Sequence, residues 1–265
     1  MNYFNFVVAM KQKKIKKIIE EDLSGIRECS SRILNHSDED CIHDIRVAFK
    51  KFRAFVRLQK IAGGDKDLHI PRNLKKFYKR AGSLRDRQLY FKSLDHQADG
   101  KIFKTTSLKY LAEEIRIRQR IINRHLDRIS FEMLNENVMS HLPKKISNKK
   151  LTRYFKRQQQ RFNKISRHPG SDEEIHDIRK CLKDLLYNAK ALEDSQITEA
   201  IIRREDDYKK LIDMIGEYND TRIALSFLRE DMSRDRRTRT ALTVFEKQLN
   251  DKKEELKKDI IHSLA

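Results

Sequence analysis

IHDIRVAFKKFRAFVRL, residues 42–58, decides how this chain is read, because its first five letters return unchanged as IHDIR at 175–179. At about 100° per residue, Ile42, Ile45, Phe49, Phe52 and Val56 fall on one helical stripe, and His43, Arg46, Lys50, Arg53 and Arg57 on another roughly a third of a turn away. The apolar stripe is core-facing. The basic stripe sets like charges three and four residues apart with no carboxylate among them, so each repels its neighbours. A helix that needed only solubility would mix signs along a face.

The second copy keeps His176, Arg179 and Lys183 at the same spacing and continues with Tyr187 and Lys190, while Leu186 stands where the first copy has Arg53 and Asp184 interrupts the basic run. A second landmark repeats in register. The two histidines are 176 − 43 = 133 residues apart, and Gly82 of RAGSLRDRQL precedes Gly216 of MIGEYNDTRI by 216 − 82 = 134. Both glycines open a Gly-x-x-x-Asp pattern, ending at Asp86 and Asp220. Two matched landmarks in register imply an internal duplication of a four-helix unit. Lys75 and Lys209 each lie seven residues before their glycine, on its face of the helix, and Lys79 and Arg85 belong to the first of these helices. A glycine inside a helix costs about 1 kcal/mol relative to alanine, which implies close approach of another backbone or of a ligand.

Composition agrees with an all-α chain. Only 7 glycines and 3 prolines occur in 265 residues, and 37% of the residues are charged, which favours helices with solvated faces over a turn-rich β fold. Lys and Arg total 59 against 40 Asp and Glu, a net charge of +19, which points to a polyanionic partner without naming it. Cys29, Cys41 and Cys181 are odd in number and widely spaced, so they read as reduced, partly buried thiols of a cytosolic protein. MNYFNFVVAM places its lysine cluster after the apolar run, the wrong order for a signal peptide, and no run approaches a membrane span.

Periodicity near 3.6 predicts helices over about 11–35, 38–61, 72–98, 104–138, 148–167, 172–194, 197–230 and 236–263. Ser37 with Asp40, and Ser171 with Glu174, read as capping boxes, and GGD at 63–65 and HPG at 168–170 as turns. HLPKKISNK at 141–149 interrupts the pattern, dividing one domain, 1–265, into repeats 1–142 and 143–265.

The paired HDIR helices, each followed by a helix carrying Gly-x-x-[RN]-Asp, resemble the CHAD domain, the conserved histidine α-helical domain, and the resemblance covers nearly the whole chain. It implies two four-helix bundles related by pseudo-twofold symmetry, basic stripes facing a central cavity or pore, and binding of inorganic polyphosphate. The family's basic pattern falls on His43, Arg46, Lys50, Lys51 and Arg53 in the first half and on His176, Arg179, Lys180 and Lys183 in the second. With Arg57, Lys75, Lys79, Arg85, Tyr187, Lys190 and Lys209 these form the candidate polyphosphate site. No catalytic residue, metal or cofactor is expected, and the expected location is cytoplasmic, associated with polyphosphate granules.

The chemistry stands without the name. A linear phosphate polymer offers charge but no bases to read, so its site needs spaced cations and donors: Arg forks onto two oxygens, Lys acts as a point charge, and a His in a first turn donates where the helix dipole favours anions. Other readings compete. His43 and His176 can be capping-region histidines bonded within their own bundle. Asp44 and Asp177 read as first-turn acids or partners of a neighbouring Arg, and Asp86 and Asp220 as groups that orient the facing helix or simply pack. KQKKIKK at 11–17 and RDRRTR at 234–239 read as solvated faces. General polyanion binding, to RNA or DNA, suits the charge, and weak cross-binding at low salt is expected; but there is no Trp, and Phe49, Phe52 and Phe55 lie toward the core. A metal-dependent phosphohydrolase would need further His and Asp ligands converging on an ion, whereas these His-Asp pairs sit among cations that repel one.

Overall fold

The computed structural model describes residues 9–36, 39–65, 67–97, 103–167, 169–192, 196–234 and 236–264. The first half carries α1 (Gln12–His36), α2 (Glu39–Leu58), α3 (Arg72–Gln97), α4 (Phe103–Leu126) and α5 (Phe131–Ser140). The second carries α6 (Asn148–Ile165), α7 (Asp172–Ala191), α8 (Gln196–Ile202), α9 (Glu205–Arg234) and α10 (Arg236–Leu264). Two short strands, β1 (Met10–Lys11) and β2 (Lys145–Ile146), pair antiparallel and tie the start of α1 to the segment between the halves. No helix among the described residues is long and apolar enough to cross a membrane.

Most helix bounds follow the predicted periodicity. Two predicted helices are each broken in two, so the expected four helices per half become five. The 104–138 prediction breaks because the Ser130 hydroxyl accepts from the Met133 amide and caps a new helix, α5. The 197–230 prediction breaks at Arg203–Arg204, where Glu205, Asp206 and Asp207 place three carboxylates in the first turn of α9, the end at which the helix dipole favours them. α2 does not stop where its α-helix ends. It runs on through a π-helical turn at Gln59–Gly63 that closes on Gly64, whose φ of 87° is the left-handed geometry that glycine takes without strain. The capping box at α7 is present, Ser171 accepting from the Glu174 amide while the Glu174 carboxylate accepts from Ser171 N. Ser37 of the other predicted box, His168 of the HPG turn, the first eight residues, and the side chains from Arg234 to Thr240, which include RDRRTR, lie outside what is described.

The order of packing matters most for the site. α2 packs on α7 and α3 on α9, while α1, α4, α6 and α10 cover these four from outside, on α2, α3, α7 and α9 respectively. The apolar stripe of the quoted stretch is the reason: Ile42, Ile45, Phe49 and Phe52 are at most 1% exposed. A phenylalanine so buried contributes about 1.5–3 kcal/mol of transfer free energy. Their core continues without a break into Ile175, Ile178, Leu182 and Leu185 of α7, so one hydrophobic cluster spans both halves. A second, smaller cluster joins α3, α4, α9 and α10 around Tyr90, Leu228 and Phe245. The three cysteines are free and buried.

Candidate anion-binding site

With their apolar stripes turned into this shared core, the basic stripes of α2 and α7 are left on the side facing α3 and α9. Lys50 shows how tightly they meet. Burial first, then the charges of Lys183 and Arg179 on α7 and of Arg46 and Arg53 on α2, push its ammonium down to about 6. Lys183 falls to about 8 by burial and by Arg179 and Arg46, with Asp213 and Asp220 pulling the other way. A lysine loses its proton this easily only where burial and like charges outweigh the available counter-charge.

Each half seats its arginine in the same way. A Cβ on Gly82 of α3 would collide with Nη1 of Arg46, and a Cβ on Gly216 of α9 would come within 2.8 Å of Nη2 of Arg179. The space these glycines leave is taken by an arginine side chain and not by the second backbone that was one expectation from sequence. Arg179 is fixed further, its Nε donating to the carbonyl of Ile212 at 3.0 Å, one turn before Gly216. In the first half Tyr78 takes that turn's place. Its ring stacks on Phe49 with centroids 4.3 Å apart and lies under the guanidiniums of Arg46 at 5.1 Å and Arg53 at 5.2 Å.

Arg85 of α3 adds a sixth cation to the shell, acting on His43, Asp86 and Asp220. Facing these six are Asp86, Asp213 and Asp220. Burial raises Asp86 and Asp220, and Asp220 adds to the rise of Asp86, while the arginines oppose it, Arg46 foremost at Asp86 and Arg179 at Asp220. Three carboxylates leave an excess of positive charge. Arg53 Nε and Arg85 Nη1 are buried with no hydrogen-bond partner among the described residues, so donors as well as charges remain available. A cavity of about 450 Å³ opens between α3 and α9 beside the shell, reached by Arg179 and edged by Asp86, Asp213 and Asp220.

The histidines stand at the margins. His43 is lowered by burial and by Arg85 and Lys50, and His176 by burial and by Lys180 and Arg179, so both rings favour the neutral form. His176 Nδ1 is buried and makes no hydrogen bond among the described residues, so the reading of a capping-region histidine bonded through that atom finds no partner here. Asp44 does hold an arginine, Arg32, at 3.0 Å, and Asp177 pairs with Lys180.

Not every candidate joins the shell. Arg57 leaves the stripe to pair with Asp184 across the α2–α7 interface. Lys51 points toward α1, where it opposes the rise of Asp22, an acid that burial raises to about 7. Lys180 pairs with Asp177, and Lys190 and Lys209 both close on Glu205, at 2.6 and 2.5 Å. Tyr187 flanks Arg179, its hydroxyl raised by burial. Lys75 and Lys79 are exposed on α3 and make no ion pair among the described residues. The residues that sequence reasoning missed are Tyr78 and Asp213. Tyr78 was detectable, since it lies four residues before Gly82 and therefore on its face. No group of three metal-ligating side chains occurs among the described residues.

Residues 17–229 match the family model of the CHAD domain. The chain is also similar to the crystal structure of the CHAD domain from the plant Ricinus communis, with a TM-score of 0.76 at 13% identity, over 99% of this chain and 94% of that one. At that identity the likeness speaks for the fold alone. No curated protein matches.

Proposed function

The chain belongs to the CHAD domain family, and from that premise we propose that it binds inorganic polyphosphate, without catalysis, through the shell of Arg46, Lys50, Arg53, Arg85, Arg179 and Lys183. The observation that carries the reading is that Arg46 and Arg179, one from each half, are seated against Gly82 and Gly216, with burial and neighbouring cations, these two among them, depressing the ionisation of Lys50 and Lys183. The cations held together here repel one another, and hold Lys50 near deprotonation, until an anion enters. A polymer with about one charge per phosphate supplies repeated negative charge along its length, and the guanidiniums, each with several donors, suit phosphate oxygens. In this reading the two halves act as two copies of one anion-gripping unit.

Two features favour a phosphate polymer over a nucleic acid. The Tyr78 ring is already covered by Phe49 and two guanidiniums, which leaves it no free face for a base. The aromatics of α2, Phe49, Phe52 and Phe55, are in the core. The test is a competition titration near physiological salt, in which labelled long-chain polyphosphate is displaced by unlabelled polyphosphate, single-stranded RNA and duplex DNA at matched charge. Displacement by polyphosphate alone supports the reading. Equal displacement by all three makes the shell a general polyanion surface.

A further inference from the structure

α3 carries a second set of cations on the side turned away from Gly82. Arg72, Lys76 and Arg80 of α3 and Arg124, His125 and Arg128 at and after the end of α4 line a groove of about 610 Å³ whose lining, among the described residues, contains no carboxylate. None of the five Arg and Lys residues makes an ion pair among the described residues, and Arg80 Nη1 meets His125 Nδ1 at 2.8 Å. The arrangement costs helix stability at one end. The first turn of α3 holds no acid and begins with Arg72, where the dipole disfavours a cation. An anion in the groove would offset both the dipole and the mutual repulsion.

The groove is not isolated from the inner shell. At 3.6 residues per turn, Lys75 and Lys79 lie about 20° and about 60° round α3 from Gly82, and Arg72, Lys76 and Arg80 about 80°, 120° and 160°, all in the same sense. Gly82 marks the inner face, because Arg46 lies against it. The exposed Lys75 and Lys79 therefore form the step between shell and groove.

We propose that the groove is a second, outer phosphate-binding station, and that a polyphosphate chain too long for the inner shell crosses α3 over Lys75 and Lys79 to reach it. The proposal rests on the reading of the inner shell given above. It predicts that chain length decides which residues matter: a short chain uses the shell, and a long one uses both.

The test compares tripolyphosphate with long-chain polyphosphate on the full chain, unsubstituted, as the outer variant Arg72→Gln/Arg80→Gln/Arg124→Gln, and as the inner variant Lys50→Gln/Lys183→Gln. The outer substitutions are on exposed side chains, and circular dichroism verifies the fold. For the long chain the outer variant should bind more weakly, with a log–log salt slope shallower by about 2, which is ~0.7 for each of three cations on a single-stranded polyanion. Its inner-shell binding of tripolyphosphate should persist, and the inner variant should lose both ligands. An unchanged long-chain affinity and slope in the outer variant overturns the outer station and leaves the inner shell standing. Equal losses of both lengths in that variant overturn it too, since the groove would then be only diffuse surface charge. Failure of the unsubstituted protein to bind either probe overturns the proposed function itself.

Discussion

Arg179 and Gly216 define each other's positions: the guanidinium occupies the space a side chain would take on α9, and its Nε donates to Ile212 O at 3.0 Å. Arg46 stands in the same relation to Gly82 of α3. Each arginine is thereby set before any ligand arrives, and this preorganisation is what a polyanion site needs from its most specific donors.

Gly216→Ala separates stability from binding. Alanine improves helix propensity by about 1 kcal/mol, while displacing the guanidinium weakens its bond to Ile212 O, a charged hydrogen bond of about 1.5–3 kcal/mol, so α9 should remain helical and thermal stability stay level or fall modestly. Polyphosphate affinity should fall, as Arg179 is displaced. Differential scanning fluorimetry and a binding titration on the same sample check both halves of the statement, and Gly82→Ala should behave alike through Arg46.

Binding should take up protons. Lys50 ionises at about 6 in the free protein, and a bound anion raises that value, so at neutral pH the complex gains a proton and affinity strengthens as pH falls toward 6. Calorimetry in buffers of different ionisation enthalpy measures the uptake, which should shrink in Lys50→Gln.

The same lysine sets a pH dependence of stability. An unfolded lysine keeps its proton up to about 10.5, so its penalty on the free fold is full below about 6 and fades as pH rises from there toward 10.5. Lys50→Gln should therefore be more stable than the parent at low pH, with the gap closing in alkali. Melting temperature should move about 2–4 °C per kcal/mol relieved.

Arg57 and Asp184 join α2 to α7, and their effect should be on stability. Asp184→Ala removes the partner of a half-buried guanidinium and should cost roughly 1.5–3 kcal/mol, the range for hydrogen bonds to charged groups. Urea denaturation measures the loss, and polyphosphate affinity should change less than in the inner-shell variants.

The sequence disclosed the helices and the face of α2 that becomes core because burial imposes period 3.6 on residues such as Ile42, Ile45, Phe49 and Phe52. It disclosed Arg46, Lys50, Arg179 and Lys183 because the repeated IHDIR fixes which face of each helix carries charge. It could not separate Arg53, which stays in the shell, from Arg57, which pairs with Asp184: both sit on one stripe, and the difference arises only when α7 lies across α2. Lys190 and Lys209 are alike in this respect, since their common partner Glu205 comes from the start of α9, where a helix break was not foreseen. The role of Gly82 and Gly216 was half legible, the need for space being evident and its occupant not.

The proposed function requires that a defined shell, and not the overall charge, grips polyphosphate. Titration of long-chain polyphosphate into Lys50→Gln/Lys183→Gln and into the control Lys13→Gln/Lys16→Gln, two exposed lysines on α1, at one near-physiological salt concentration tests it most directly. Both doubles replace two lysines. The first double should lose at least about tenfold in affinity, from two charge-assisted contacts, and gain in melting temperature, with little change in the control. Equal losses in the two would contradict it.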